Sequence, residues 1–466
     1  METYTSLSGL PEAIATGNTT DYQDSGKLST PRPVAKANRI QTIDLIRGFA
    51  LLGILLMNIP GFGLGMLFST FYEFVRRGAG PDFYTWTVVS TGFSGTMRGL
   101  FSMLFGAGML LFTINKSADT DATTVAGYYY RRLLWLILFG VFNAYILLWD
   151  GDILFQYGLC GLVLYVFRRA KPIWLIGLAL LCVGINLIRP AVSYSEIRAN
   201  RASYLEAIQL EKAHQKPSEK QTAAKAAWEK YTKSFQKDAR QEAEELKAMR
   251  GTYSTAFVHR IPENSFYESN FVYFNSWDCL LMMFLGMALL KWGFFSNQLP
   301  TSTYALTLLV GYGLGLPISW VYVQGRIDLL QHIDVFVDSY RVNPAQVYDL
   351  RRILLALGHA SLLILVYRAN IVPWLMKALT AVGQMAFTNY LMQSIICTLF
   401  FNGYGLGYFG KLAYHELFYL VAGVWLFQLI ASPIWLHYFR FGPFEWLWRS
   451  LTYWQAQPMR RVSTRF

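Results

Sequence analysis

The amino-acid sequence predicts an all-α fold, a polytopic bundle of about ten membrane-spanning helices with a helical extracytoplasmic insertion. Composition is the first sign. Of 466 residues, 54% are hydrophobic and 15% charged, where a soluble chain carries about 25% charged residues. The second sign is length, because several apolar runs reach the roughly 20 residues needed to cross about 30 Å of hydrocarbon. The third is the placement of Lys and Arg, which gather on alternate connections. A net charge of +12 alone would suggest nucleic acid, but beside so many apolar runs it describes a basic face toward anionic lipid.

Residues 1–38 are polar, rich in Thr, Ser, Gly and Pro, and lack the apolar core of a signal peptide, so they read as a disordered cytoplasmic tail. Residues 39–190 then hold five spans, near 43–60, 97–114, 132–149, 153–170 and 173–190. The glycine-rich run GFGLGMLF after Pro60 suits a re-entrant or partly unwound segment rather than a helix end. The turn WDGD between the third and fourth spans is short, and its Asp-Gly geometry suits a tight reversal at a membrane surface.

Residues 191–270 form the polar insertion. Ser193-Tyr-Ser-Glu196 and Ser218-Glu-Lys-Gln221 both have the form of capping boxes, with Pro217 as a break, so two charged surface helices are expected. A solvated helical face accounts for the mixed charges, and a partner-binding role is the alternative. Residues 271–438 add spans near 271–292, 303–324, 350–367, 375–402 and 415–438. Residues 439–466 then close the chain with an interfacial Trp-rich helix and a basic tail. Positive charge favours one side, with Arg131, Arg132, Arg168, Arg169, Lys291, Arg368 and Arg449 there against Arg76, Arg77, Arg326 and Arg341 opposite. That balance places both termini in the cytoplasm.

Candidate chemistry lies in polar side chains at membrane depth, where an ionised group costs a few kcal/mol unless it faces protein or water. Asp44 and Arg47 lie three residues apart and can pair, while Asn58 falls three turns beyond on nearly the same face. Arg98 precedes GLFSMLFGAG, whose glycines favour close helix packing. Asn143 is a lone amide in an apolar helix, for which interhelical hydrogen bonding is the commoner role. Asp150 and Asp152 are suited to acid–base work or cation binding, or in the case of Asp152 to capping the next helix, and Gln156 continues that polar line. Asn389 and Gln393 share one helical face, and Glu445 and Arg449 have the spacing of an ion pair. His359 is the one histidine well inside a span. Cys160, Cys182, Cys279 and Cys397 read as packed thiols, and no metal is expected.

Several stretches together resemble the YeiB-like family of bacterial inner-membrane proteins, described as a domain of unknown function. They are IDLIRGFALLGILLMNI, LFGVFNAYILLWDGDILFQYGLCGL, FLGMALLKWGFF, GQMAFTNYLMQSIICTLFF and WLHYFRFGPFEWLWRSLTYW. Through its first helix that family is similar to the transmembrane acyltransferases, which include acyltransferase-3 proteins and heparan-glucosaminide acetyltransferase. This implies transfer of an acyl group from acyl-coenzyme A to an extracytoplasmic glycan or lipid-linked acceptor. Arg47 with Arg131 or Arg132 would meet the donor phosphates, and Asp44, Asn58, Arg98, Asn143, Gln156, Asn389, Gln393, Glu445 and Arg449 would line the cavity.

The acyltransferase-3 helix carries a catalytic His where Asn58 stands, and YeiB-like proteins commonly have a His where Asn143 stands. An amide cannot take a proton. The base would therefore be Asp150, Asp152 or His359, unless the acyl group passes directly. The resemblance implies a multi-pass inner-membrane protein. Its expected partners are membrane lipids and a small-molecule or glycan acceptor, with a homodimer as a further option and no nucleic acid. A small-solute permease and a non-catalytic sensor or scaffold fit the same polar cavity.

Overall fold

Helix follows helix because a backbone in hydrocarbon must satisfy its own hydrogen bonds, and a helix does so within one segment. The computed structural model describes residues 40–65, 69–117, 122–236 and 238–461. The expected tail at 1–38 lies outside them, as do the last residues of the basic tail. Among the described residues there is no strand, only a single bridge between Phe439 and Arg460.

The first half contains α1 (Gln41–Leu64), α2 (Ser69–Arg77), α3 (Pro81–Gly92), α4 (Thr96–Ser117), α5 (Ala122–Val141), α6 (Leu154–Leu164) and α7 (Pro172–Lys212). The insertion adds α8 (Glu219–Lys233), α9 (Ala239–Met249) and α10 (Tyr253–Phe266). The second half contains α11 (Val272–Lys291), α12 (Thr301–Gln331), α13 (Ile333–Ser339), α14 (Tyr348–Ala369), α15 (Pro373–Gln384), α16 (Ala386–Phe401), α17 (Leu417–Tyr438) and α18 (Pro443–Tyr453). Six segments are long and apolar enough to cross a membrane: α1, α3–α4 together, α7, α12, the stretch through α14, and α17. A bent α10–α11 pair would raise the number to seven. The chain is a multi-pass membrane protein.

Several expected elements differ in form. The span expected at 132–149 is α-helical only to Val141 and then widens into a π-type turn over Phe142–Ile146. The span expected at 375–402 is two helices, broken at Met385. The break is stabilised from outside, because Glu445 Oε1 accepts from the Phe387 and Thr388 amides at 2.7 and 3.0 Å and Oε2 accepts from Thr388 Oγ1 at 2.5 Å. Glu445 therefore caps α16 rather than pairing with Arg449. Glu445→Ala is expected to lower stability by about 1–2 kcal/mol, read as earlier thermal unfolding in detergent.

No helix starts at Ser193, since α7 runs through Pro190 without interruption. Neighbouring side chains and local adjustment can satisfy the carbonyl one turn earlier that proline leaves without a donor. Ser218 does start one. Its Oγ accepts from the Gln221 amide at 3.3 Å while Gln221 Oε1 accepts from the Ser218 amide at 3.0 Å. The glycine-rich run is helical through Leu64, and residues 66–68 lie outside the described set.

The core is built on α1, which touches α4, α15, α16 and α17. Its closest crossing uses glycine on both sides, where a Cβ at Gly48 would enter the Leu379 carbonyl and one at Gly383 the Asp44 carbonyl. The glycines of GLFSMLFGAG act alike, with Gly106 of α4 on Met283 and Gly286 of α11 on Met103. At the Gln41 end, Thr42 Oγ1 donates to the Phe295 carbonyl at 2.7 Å and Arg368 holds the Asn297 and Leu299 carbonyls. At the other end, Phe62 stacks on Trp149 with centroids 3.7 Å apart, and the Gly410 amide donates to the Gly63 carbonyl at 2.7 Å. The insertion docks at this second end, where the Gly403 amide donates to the Met249 carbonyl at 2.8 Å.

Candidate functional site

Between α1, α4, α5, α6, α16 and α18 lies a cavity of about 270 Å³. Its walls are mostly apolar, with Phe101, Leu104, Phe105, Phe112, Leu136, Phe387 and Trp448. Its charged members are Asp44, Arg47, Arg132, Glu445 and Arg449. The cavity thus joins residues from both halves of the chain.

Each charge is placed by local structure. Arg47 Nη1 donates to Asp44 Oδ1 at 2.8 Å, the pairing their three-residue spacing predicts. Gly108 leaves room opposite, since a Cβ there would stand 3.7 Å from Arg47 Nη2. Arg132 lies over the Trp448 ring at 4.1 Å, and Trp448 Nε1 in turn donates to the Arg132 carbonyl at 2.8 Å. Arg449 stacks on Phe441 at 4.5 Å. The Arg132 guanidinium feels the like charges of both Arg449 and Arg47. Its Nε is buried without a hydrogen-bond partner, and among the described residues no carboxylate pairs with it. Three guanidiniums converge on two carboxylates, one of which is spent on a helix N-terminus.

Away from the arginines, Tyr157 and Tyr390 line the cavity. The Tyr157 hydroxyl donates to the Arg98 carbonyl at 3.2 Å. The Tyr390 hydroxyl lies 3.3 Å from Asp152 Oδ1 and 3.2 Å from the Ile153 amide, which donates to it. Asp152 stands directly behind this wall, with its carboxylate accepting from Asn143 Nδ2 at 2.8 Å and from the Phe155 amide at 2.9 Å. It therefore caps α6, and through Tyr390 it also meets the cavity. Asn143 sits in the π-type turn, a feature common at functional sites.

The remaining candidates lie elsewhere. Asn58 is half-buried toward the far end of α1 and does not line the cavity. Asp150 Oδ2 accepts from Arg260 Nη1 of the insertion at 2.8 Å. Arg131 Nη1 donates to the Thr452 carbonyl at 3.2 Å. Asn389 Nδ2 donates to Ser432 Oγ at 3.0 Å and Gln393 Nε2 to Gln428 Oε1 at 3.1 Å, so this polar face joins α16 to α17. Gln156 is buried beside the cavity without lining it. His359 is engaged at both nitrogens, by the Tyr312 hydroxyl at 2.6 Å and the Gly92 carbonyl at 3.1 Å.

Arg98 belongs to a second polar centre that sequence reasoning missed. Its Nη2 donates to Asp278 Oδ2 at 2.9 Å, and Asp278 Oδ1 also meets Arg352. Arg352 bonds Asp349 Oδ1 at 2.8 Å, and Asn186 Nδ2 reaches Asp349 Oδ2 at 2.9 Å. Arg351, also fully buried, lies 4.0 Å from the Tyr322 ring. The available signal was an Asp within FVYFNSWDCLLMMFLG and two Arg opening an apolar run, RRILLALG.

A family model described as "Protein of unknown function (DUF418)" matches residues 289–455. YxaH of Bacillus subtilis, an uncharacterized protein, is 31% identical over 448 residues, covering 93% of this chain and 99% of its own. The chain belongs to this YeiB-like family. YeiB of Escherichia coli, also uncharacterized, is 29% identical over 432 residues, covering 90% of this chain and 97% of its own. No solved structure gives a significant match. For a YeiB-like protein, the cavity joins four of the recognised stretches, through IDLIRG, DILFQY, GQMAFTNY and FGPFEWLWR.

Proposed function

We propose that the chain is a membrane-embedded acyltransferase that takes an acyl group from acyl-coenzyme A and passes it to an extracytoplasmic glycan or lipid-linked acceptor. One observation carries this reading: Arg47, Arg132 and Arg449, from three separate helices, meet at one end of an apolar cavity. Guanidiniums suit the donor phosphates, and the aromatic walls suit an acyl chain. Arg132 takes the donor role in preference to Arg131, whose guanidinium is held against α18. The acceptor hydroxyl oxygen attacks the thioester carbonyl and its proton passes through the Tyr390 hydroxyl to the Asp152 carboxylate. The carbon–sulfur bond then breaks, and the coenzyme leaves as a thiolate that takes up a proton. Of the three candidate bases, Asp152 is the one bonded to a cavity residue.

In this reading the protein sits in a bacterial inner membrane with both termini cytoplasmic and residues 191–270 outside. The α5, α6 and α15–α16 segments join the six long segments and the bent α10–α11 pair to make ten crossings. The decisive experiment follows release of free coenzyme A thiol from acyl-coenzyme A by the purified protein, across glycan and lipid-linked acceptors. Asp152→Asn is expected to abolish turnover while retaining donor binding. Thiol release no faster than in protein-free controls for every acceptor would overturn the proposal. Solute flux in proteoliposomes without donor would favour a permease.

A further inference from the structure

We propose that Glu245, His259 and Glu263 hold a divalent transition-metal ion of the Zn²⁺ or Mn²⁺ class, at the place where the insertion docks on the end of α1. The site is separate from the cavity and does not depend on acyl transfer. His259 and Glu263 lie four residues apart and share a face of α10. Glu245 comes from α9, which the short turn before Tyr253 folds back against α10. The ligand atoms of all three lie within 4.8 Å of one another. Bonds of about 2.0–2.2 Å to nitrogen and oxygen would need them to close by roughly an ångström around an ion.

Charge points the same way. Asp150, Glu263 and Glu245 all act on the guanidinium of Arg260, so three carboxylates gather around it. Glu245 and Arg260 are each 2% exposed and Asp150 is 4% exposed. A divalent ion would add positive charge to this buried, carboxylate-rich place. Asp150 adds an independent sign. Its Oδ2 bonds the same Arg260 Nη1 that holds Glu263 Oε2, while its Oδ1 is buried with no hydrogen-bond partner.

The end of α1 is shaped for this carboxylate. Gly65 has φ +78°, and a Cβ there would stand 2.7 Å from Glu245 Oε2 and closer still to Oε1. Two carboxylates and one imidazole suit Zn²⁺ or Mn²⁺, whereas Ca²⁺ takes six to eight oxygens. A bound ion would tie α9 and α10 together over the end of α1.

The test uses full-length protein purified in detergent and stripped with EDTA. It is incubated with ZnCl₂, MnCl₂ or CaCl₂, and retained metal is measured after gel filtration. About one equivalent of Zn²⁺ or Mn²⁺ is expected, with no Ca²⁺. H259A and E245Q are each expected to weaken binding on the order of 100-fold, while H437A, at an exposed histidine on α17, leaves it unchanged. If E245Q fails to elute as a single species, H259A decides, because His259 is only half-buried. No retained transition metal in the wild type, or equal retention by H259A, would overturn the proposal.

Discussion

Arg132→Met is expected to lose about 10- to 100-fold in affinity for an anionic acyl donor, from the 1.5–3 kcal/mol of a charge-assisted hydrogen bond. Methionine keeps an apolar stem over Trp448, so the change removes charge with little loss of volume. The expected effect on the empty protein is opposite in character. Arg132 is placed among two like charges and, among the described residues, pairs with no carboxylate, so its removal relieves repulsion as it forfeits a cation–π contact. The two should cancel to within about 1 kcal/mol. Binding measured by equilibrium dialysis and stability by thermal unfolding separate these effects. A variant that keeps full affinity would show that the three arginines are structural. One that loses affinity and stability together would show that the residue serves packing first.

The first helix was the most legible part of the chain. Its apolar length, the Asp44–Arg47 pair and the place of Arg47 at a polar site all follow from one helix and its period. The same reasoning overreached at Asn58, because sharing a face over three turns does not mean facing one neighbour throughout. As α1 rises, its contacts pass from the cavity to the packed end near Trp149. Asn389 and Gln393 show the reverse limit. Their common face was legible, but their partners, Ser432 and Gln428 on α17, depend on a helix crossing that spacing cannot supply.

Broken helices were hardest to see. The stretch through Met385 has no proline to mark a break and reads as one span, yet Glu445, some 60 residues away in sequence, caps a new start within it. Tyr390 was overlooked because tyrosine is ordinary at membrane depth; only its reach to Asp152 gives it a role. The family motifs mark these same places without saying what joins them. The glycine pairs Gly48–Gly383 and Gly106–Gly286 supply that link, letting backbones approach closely enough to bring α1, α4, α15 and α11 together.

The largest expected loss of stability comes from Asp278→Asn. Asp278 joins α11 to Arg98 of α4 and to Arg352 of α14, and Arg352 continues through Asp349 to Asn186 of α7. Four helices therefore meet on one carboxylate chain. Arg352 is fully buried and already holds Nε and Nη1 without protein partners, so neutralising Asp278 leaves its charge to Asp349 alone. Breaking a buried pair by removing one member costs about 3–5 kcal/mol, most of it the stranded charge. The pair of Arg201 with Asp338, half-exposed at the insertion, should by contrast contribute at most about 1 kcal/mol. A cycle of Asp278→Asn, Arg352→Met and the double variant, followed by chemical unfolding in detergent, tests this directly. The double variant should recover part of the loss, because the stranded cation goes with its partner. If Asp278→Asn alone unfolds within about 0.5 kcal/mol of the wild type, the network is hydrated and its arginines are better sought as part of a polar path through the bundle.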